Sequence, residues 1–177
     1  IEPSSGRLWI NETPYVPQNW NALDFVTAEG APDDLLWGVI DHRELYAFGR
    51  ETMEVFYNSG DADSPLRRTD SGFIETGIMS AGAACKTDNG IPFLGNDGIA
   101  YVIRGYALER ISTHAMEKAI EGYTDKACTV FGVTEGGHKM AVFQFATGTW
   151  VYDFSTQLWH NRLSTGHSRW RAQVALQ

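Results

Sequence analysis

A chain of 177 residues with 43% apolar and 20% charged residues carries enough apolar surface for a real core and falls among soluble globular proteins. Its formal charge is −8 and its pI near 5.0; the cations gather no further than Arg67-Arg68 and the C-terminal Arg162, Arg169 and Arg171, which argues against direct DNA binding, since phosphate neutralisation needs several well-placed cations. Apolar runs of about 18 residues and a basic-then-apolar leader are both missing, which argues against membrane insertion and a retained signal peptide.

Isoleucine at position 1 reads as the start of a piece cut from a longer protein. Residues 1–22 form an irregular segment in which Gly6 to Ile10 is a strand left over from a preceding repeat, and Pro14, Pro17 and Asn19 mark loop. A strand is expected over Ala22 to Val26. The turn Ala31-Pro-Asp-Asp34 then leads into Leu35 to Ile40, and the polar stretch Ser59 to Pro65 is an exposed loop.

From residue 23 to residue 177 the pattern repeats. Leu45–Gly49, Ile91–Gly95 and Met140–Phe145 are short apolar strands, each followed by turn residues and a second strand, namely Met53–Tyr57, Ile99–Ile103 and Thr149–Asp153. Phe48 to Phe93 is 45 residues, Phe93 to Phe143 is 50, Val55 to Tyr101 is 46 and Tyr101 to Val151 is 50. Strand pairs kept in phase at this period predict one four-stranded antiparallel blade per repeat, hence an all-β chain forming part of a β-propeller with about three to four blades. Asp88-Asn89-Gly90, Asn96-Asp97-Gly98 and Glu135-Gly136-Gly137 place residues that tolerate positive φ where hairpins must reverse. The run Trp150 to Phe154 breaks at Ser155-Thr156 and resumes at Leu158-Trp159, the pattern of a strand that leaves one sheet and turns toward the next.

One segment departs from the β pattern. Ser112 to Gly122 offers a Ser or Thr cap, apolar residues at Ala115, Met116, Ala119 and Ile120, and a terminal glycine, which predicts a short amphipathic helix over 112–121. It serves either to cover a sheet edge or gap between blades or to dock another subunit.

Catalytic and metal motifs are not evident. The histidines at 42, 114, 138, 160 and 167 are scattered, and His-Glu-x-x-His, Cys-x-x-Cys, Gly-x-Ser-x-Gly and Walker patterns are absent. Cys85, in an expected strand from Ser80, and Cys128 take similar places in consecutive blades and read as small buried residues of a reducing compartment, with an inter-blade disulfide as the minor reading. Asp33-Asp34 and Asp61-Ala-Asp63 are the acidic pairs to consider for a cation, though neither has the ligand set of an EF-hand. Two carboxylates at a fixed separation would make a glycosidase. Glu54, Glu75, Asp88, Glu109, Glu117, Asp125, Glu135 and Asp153 supply carboxylates, but their order marks no pair, and the Asp-box turns of sialidases are missing. A catalytic propeller of that type and a generic protein-binding propeller are the alternative functions. Trp37, Tyr46, Phe48, Trp150, Tyr152 and Trp159 read as blade packing rather than base-stacking platforms.

Four runs taken in order carry a family resemblance: Phe48 to Gly60, Arg110 to Glu117, Gly136 to Met140 and Thr149 to His160. Together they resemble the packaged-DNA stabilization proteins of short-tailed phages, over roughly Leu23 to Ser164. The resemblance implies a β-propeller without catalytic residues or cofactor: a tail-hub or head-completion protein of the virion tail or neck, phage- or prophage-encoded, assembled in the bacterial host cytoplasm. It further implies that the protein helps to seal the portal and retain the genome mechanically, with portal and tail proteins and copies of itself as partners. An arc of three or four blades is also expected to leave a terminal sheet face at each end with no partner in the chain, so that two copies would meet end to end.

Overall fold

The computed structural model describes residues 1–2, 5–11, 25–28, 30–61 and 65–172. Pro14, Pro17, Asn19, the stretch from Ala22 to Asp24, and Asp63 lie outside the described residues. The chain divides into two compact units, Ile1–Gly77 and Ile78–Gln177.

In the first unit, β1 (Arg7–Trp9) pairs antiparallel with β2 (Phe25–Thr27), and β3 (Leu35–Asp41), β4 (Glu44–Gly49), β5 (Met53–Asn58) and β6 (Leu66–Ile74) form a four-stranded meander in chain order. Side chains alternate between the faces of a pleated strand. The register therefore puts Val39, Tyr46 and Val55 on one face, and Leu45, Ala47 and Phe56 on the other. Ala47 and Phe56 are buried with Leu8 and Leu35, and Val26, Ala28 and Leu45 pack against them, so β1–β2 covers that face.

The β3–β4 reversal has two residues, His42 and Arg43, with φ of 46° and 70°. Both conformations are left-handed, the pattern of a type I′ hairpin, in which Asn-Gly is favoured and a bulky L-residue is strained. Replacing the pair by Asn-Gly is expected to stabilise the protein by about 1–2 kcal/mol. A urea midpoint that fails to rise would show that the turn is not strained as described.

The second unit holds two sheets. The first is β7 (Ile91–Leu94), β8 (Ala100–Arg104) and β9 (Ala107–Arg110), and the second is β10 (Cys128–Glu135), β11 (His138–Phe145), β12 (Thr149–Asp153) and β13 (Leu158–Asn161), again in chain order and antiparallel throughout. The repeated strand pairs of the sequence are β4–β5, β7–β8 and β11–β12. Gly98, Gly136 and Gly137, with φ of 79°, 59° and 84°, make the reversals their positions call for.

Two expectations are corrected here. Ser80 to Cys85 is not a strand: the Ala83 amide turns back to the Ser80 carbonyl at 3.1 Å, and the segment meets β7 through an isolated bridge of Ala84 with Phe93 and the bonds on either side of it. Gly82 at φ 83° breaks the extended run. Likewise, the chain does not leave its sheet after Asp153. The carboxylate of Asp153 accepts from the Ser155 amide at 2.8 Å and the Thr156 hydroxyl at 2.9 Å, Gln157 takes φ 59°, and β13 returns antiparallel along β12.

The helix α1 (His114–Glu121) links β9 to β10. Thr113 is its N-cap, accepting from the Met116 amide, and Gly122 is its C-cap in a right-handed conformation. Met116 and Ile120, one turn apart, are buried, which favours the covering role over the docking one. Glu117 fixes the helix start: it accepts from Ser112 at 2.6 Å and from Arg110 at 2.7 Å. Desolvation opposes its charge, but these bonds prevail and hold the carboxyl below its usual range.

Candidate functional site

Seven of the eight candidate carboxylates, all but Glu75, have local partners among the described residues. In the first unit the buried Glu54 accepts from the Gly30 amide at 2.9 Å and from Arg68 at 3.4 Å. In the second, Glu109 meets Arg104 at 2.5 Å, Glu135 meets Arg162 at 2.8 Å, Asp88 pairs with Lys139, and Asp125 accepts from the Ala127 amide at 2.9 Å. Asp33 does not face a cation site. Its two oxygens take the amides of Arg50, Glu51 and Thr52 at 3.0, 2.8 and 2.8 Å, tying down the β4–β5 turn, while Asp34 lies 3.7 Å from Arg50. Among the described residues no group of three or more His, Cys, Asp or Glu side chains is placed to hold a metal ion. Asp61 pairs with Arg67 at 2.7 Å, so both members of the Arg67-Arg68 pair are engaged by carboxylates.

Cys85 and Cys128 are free thiols. Burial pushes the Cys85 thiol up to about 12 and raises that of Cys128 as well, so neither is a nucleophile near neutral pH. No helix of the described residues is long and apolar enough to cross a membrane.

The most developed surface is one face of the β10–β13 sheet. The register aligns three rows across it: Thr129, Gln144 and Thr149; then Phe131, Val142 and Val151; then Val133, Met140 and Asp153. The apolar row is fully buried, and what covers it is the chain's own C-terminal segment, through Trp170 and Ala172. The Trp170 ring lies 6.1 Å from that of Phe131, with the Arg162 guanidinium 4.9 Å above it. Its amide donates to the Thr149 hydroxyl at 3.1 Å. The Gln144 amide nitrogen donates to the carbonyls of Trp170 and Ala172 at 2.6 and 2.5 Å. Beside this contact an open groove of about 460 Å³ is lined by Ser80, Cys128, Thr129, Gln144 and Arg169.

Both terminal segments thus cover sheet faces, β1–β2 in the first unit and residues 170–172 in the second. One face of each four-stranded sheet therefore has a partner within its own unit. Gln144 and Thr149 were not singled out in the sequence. The available signal is polarity at inward-facing positions of otherwise apolar strands, since buried polar groups require partners.

On the opposite face, Phe143 and Tyr152 gather around Trp159, with ring centroids 5.2 and 5.1 Å away, and the Trp159 indole donates to the Ile111 carbonyl at 2.7 Å. Tyr152 and Trp159 pack the sheet as expected of them, as do the buried Tyr46 and Phe48 in theirs, whereas Trp37 is 39% exposed. At the rim, Asp153 also meets His138 at 2.7 Å. Desolvation opposes its ionisation, but bonds from Ser155, Thr156 and His138 overcome it, and its carboxyl sits at about 2 rather than 3.8. A depressed carboxylate contributes stability above its unfolded value and loses it as pH falls through the folded one. Urea midpoints measured from pH 5 downward are therefore expected to drop between 3.8 and about 2, and Asp153→Asn to flatten the drop. An unchanged slope in that variant would contradict the assignment.

Three antiparallel meanders follow one another along the chain, two of four strands and, in the second repeat, one of three rather than the expected four, and meanders of this kind are what a β-propeller is built from. A family model described as "Bacteriophage P22 Gp10, beta-propeller", the phage-stabilisation family, matches residues 16–176, and the chain belongs to this family. The family is one of structural phage proteins concerned with stabilising packaged DNA, which associates the protein with the virion. No curated protein matches the chain.

Proposed function

We propose that the protein is a non-enzymatic tail-hub or head-completion component that helps to close the portal after packaging and so retains the genome. The observation that carries this reading is the family match across residues 16–176. The charge balance supports a mechanical mode: at −8, with Arg67, Arg68 and Arg162 held by carboxylates, the surface is poor in cations for a phosphate backbone. Portal and tail proteins, together with further copies of the chain, are its partners. It assembles in the host cytoplasm and ends in the virion neck or tail.

The test uses filled heads of the cognate phage that lack this protein. Adding it is expected to protect the packaged DNA from nuclease and to place gold-labelled protein at the portal vertex. In parallel, the purified chain is expected not to retain free duplex DNA at physiological salt. Heads that stay nuclease-sensitive at saturating protein would refute the retention role, and sub-micromolar duplex binding that weakens steeply with salt would replace the mechanical mode with an electrostatic one.

A further inference from the structure

The cover on the β10–β13 sheet is unequal to the face beneath it. Val142 and Val151 are 0% exposed and Phe131 and Met140 nearly so, whereas no residue from Asn161 to Ala172 is fully buried. A core-grade sheet face is closed by a short segment with no regular structure, held through one indole and a few hydrogen bonds.

Those bonds read backbone rather than side chains. The carbonyls of Trp170 and Ala172 converge on the single Gln144 amide nitrogen at 2.6 and 2.5 Å, closer together than two rises of an extended chain would hold them, so the segment bends around that amide. Thr149, paired across from Gln144, takes the Trp170 amide. The segment is thus captured through its main chain, with one indole laid on an apolar sheet face. The link from β13 to this segment is exposed from Thr165 to Ser168 and folds back on itself through the Ser164 amide to the Arg169 carbonyl at 3.2 Å, with Gly166 at φ 77°.

We propose that Gln144, Thr149 and the Phe131–Val142–Val151 row form a seat that receives a bent chain segment through its main chain. Within one chain it is filled by residues 170–172, and on self-association it is filled by the same residues of a second copy. Exchange of an identical segment keeps every contact and needs only the link to open, which makes it a low-cost route to an assembly. This deepens the proposed function, resting on its reading that copies of the chain are partners.

Two measurements test it. A fluorescent peptide of residues 164–172 is expected to bind the full chain saturably, at least about tenfold more tightly to Trp170→Ala, whose own strap has lost its anchor, than to the unaltered chain. Binding is expected to vanish in Trp170→Ala combined with Gln144→Leu. Separately, deleting Thr165 to His167 removes the turn that returns the strap to its own seat, and light scattering is expected to give a dimer. Absence of peptide binding to Trp170→Ala removes the seat; a monomeric deletion variant removes the exchange. Neither readout involves phage heads, so failure here is separable from failure of nuclease protection.

Discussion

Phe143→Ala is expected to lower stability by about 3–5 kcal/mol. Phe143 is 0% exposed in the middle of β11, between Val130 of β10 and Trp150 of β12, and its ring packs on Trp159 of β13. One side chain thus contacts all the strands of its sheet. Removing it forfeits the transfer free energy of a benzyl group and leaves a cavity bounded by strands that cannot close without breaking their ladders. Against a typical domain stability of about 5–15 kcal/mol the loss is large. Urea unfolding with an unchanged slope and a much lower midpoint is the expected record. A loss below about 1 kcal/mol would mean that the ring is not at the centre of the sheet.

The second large effect is expected at Asp33. Its carboxylate holds three consecutive backbone amides, those of Arg50, Glu51 and Thr52, and also the Thr52 hydroxyl at 3.1 Å. Asp33→Ala leaves these donors without that acceptor, at a cost of about 2–3 kcal/mol after water replaces part of what is lost. Asp33→Asn keeps the shape and one acceptor oxygen and is expected to cost less. Calcium is expected to change the midpoint of neither the parent nor the variant, because the oxygens that a cation would need are already taken by amides. Stabilisation of the parent by calcium would contradict that assignment.

Asp33 also illustrates where sequence reasoning loses contact with structure. An acidic pair in a turn has the same letters whether it holds a cation or a neighbouring loop 17 to 19 residues away. The in-phase strand pairs were legible because they rest on local alternation and on glycines at reversals, and both act within a few residues. The helix was legible for the same reason, and the structure shortens it to His114–Glu121 by making Thr113 the cap. Reversals that lack glycine, at His42-Arg43 and before β13, left no such mark. Ser80 to Cys85 misled because small residues suit a strand and a close-packed turn equally well. Gln144 and Thr149 were marked only as polar letters in apolar strands; what they hold depends on which face of a sheet the chain's end returns to, and period-two alternation does not carry that information.

The order of strands within the three larger sheets bears on how the chain is made. Every hydrogen-bonded neighbour among β3–β6, β7–β9 and β10–β13 is also the neighbour in sequence. Pairings of this kind close short loops, so the entropy spent before a contact forms is small and recovered at once. Each meander can therefore complete itself as it emerges during synthesis, before the next begins, leaving few unpaired edges waiting on distant chain. The C-terminal strap has to wait longest on its own sheet: residues 170–172 are translated after all four strands of the sheet they cover, so that face is briefly bare on every newly made chain, in a cell where many identical chains are being made at the same time.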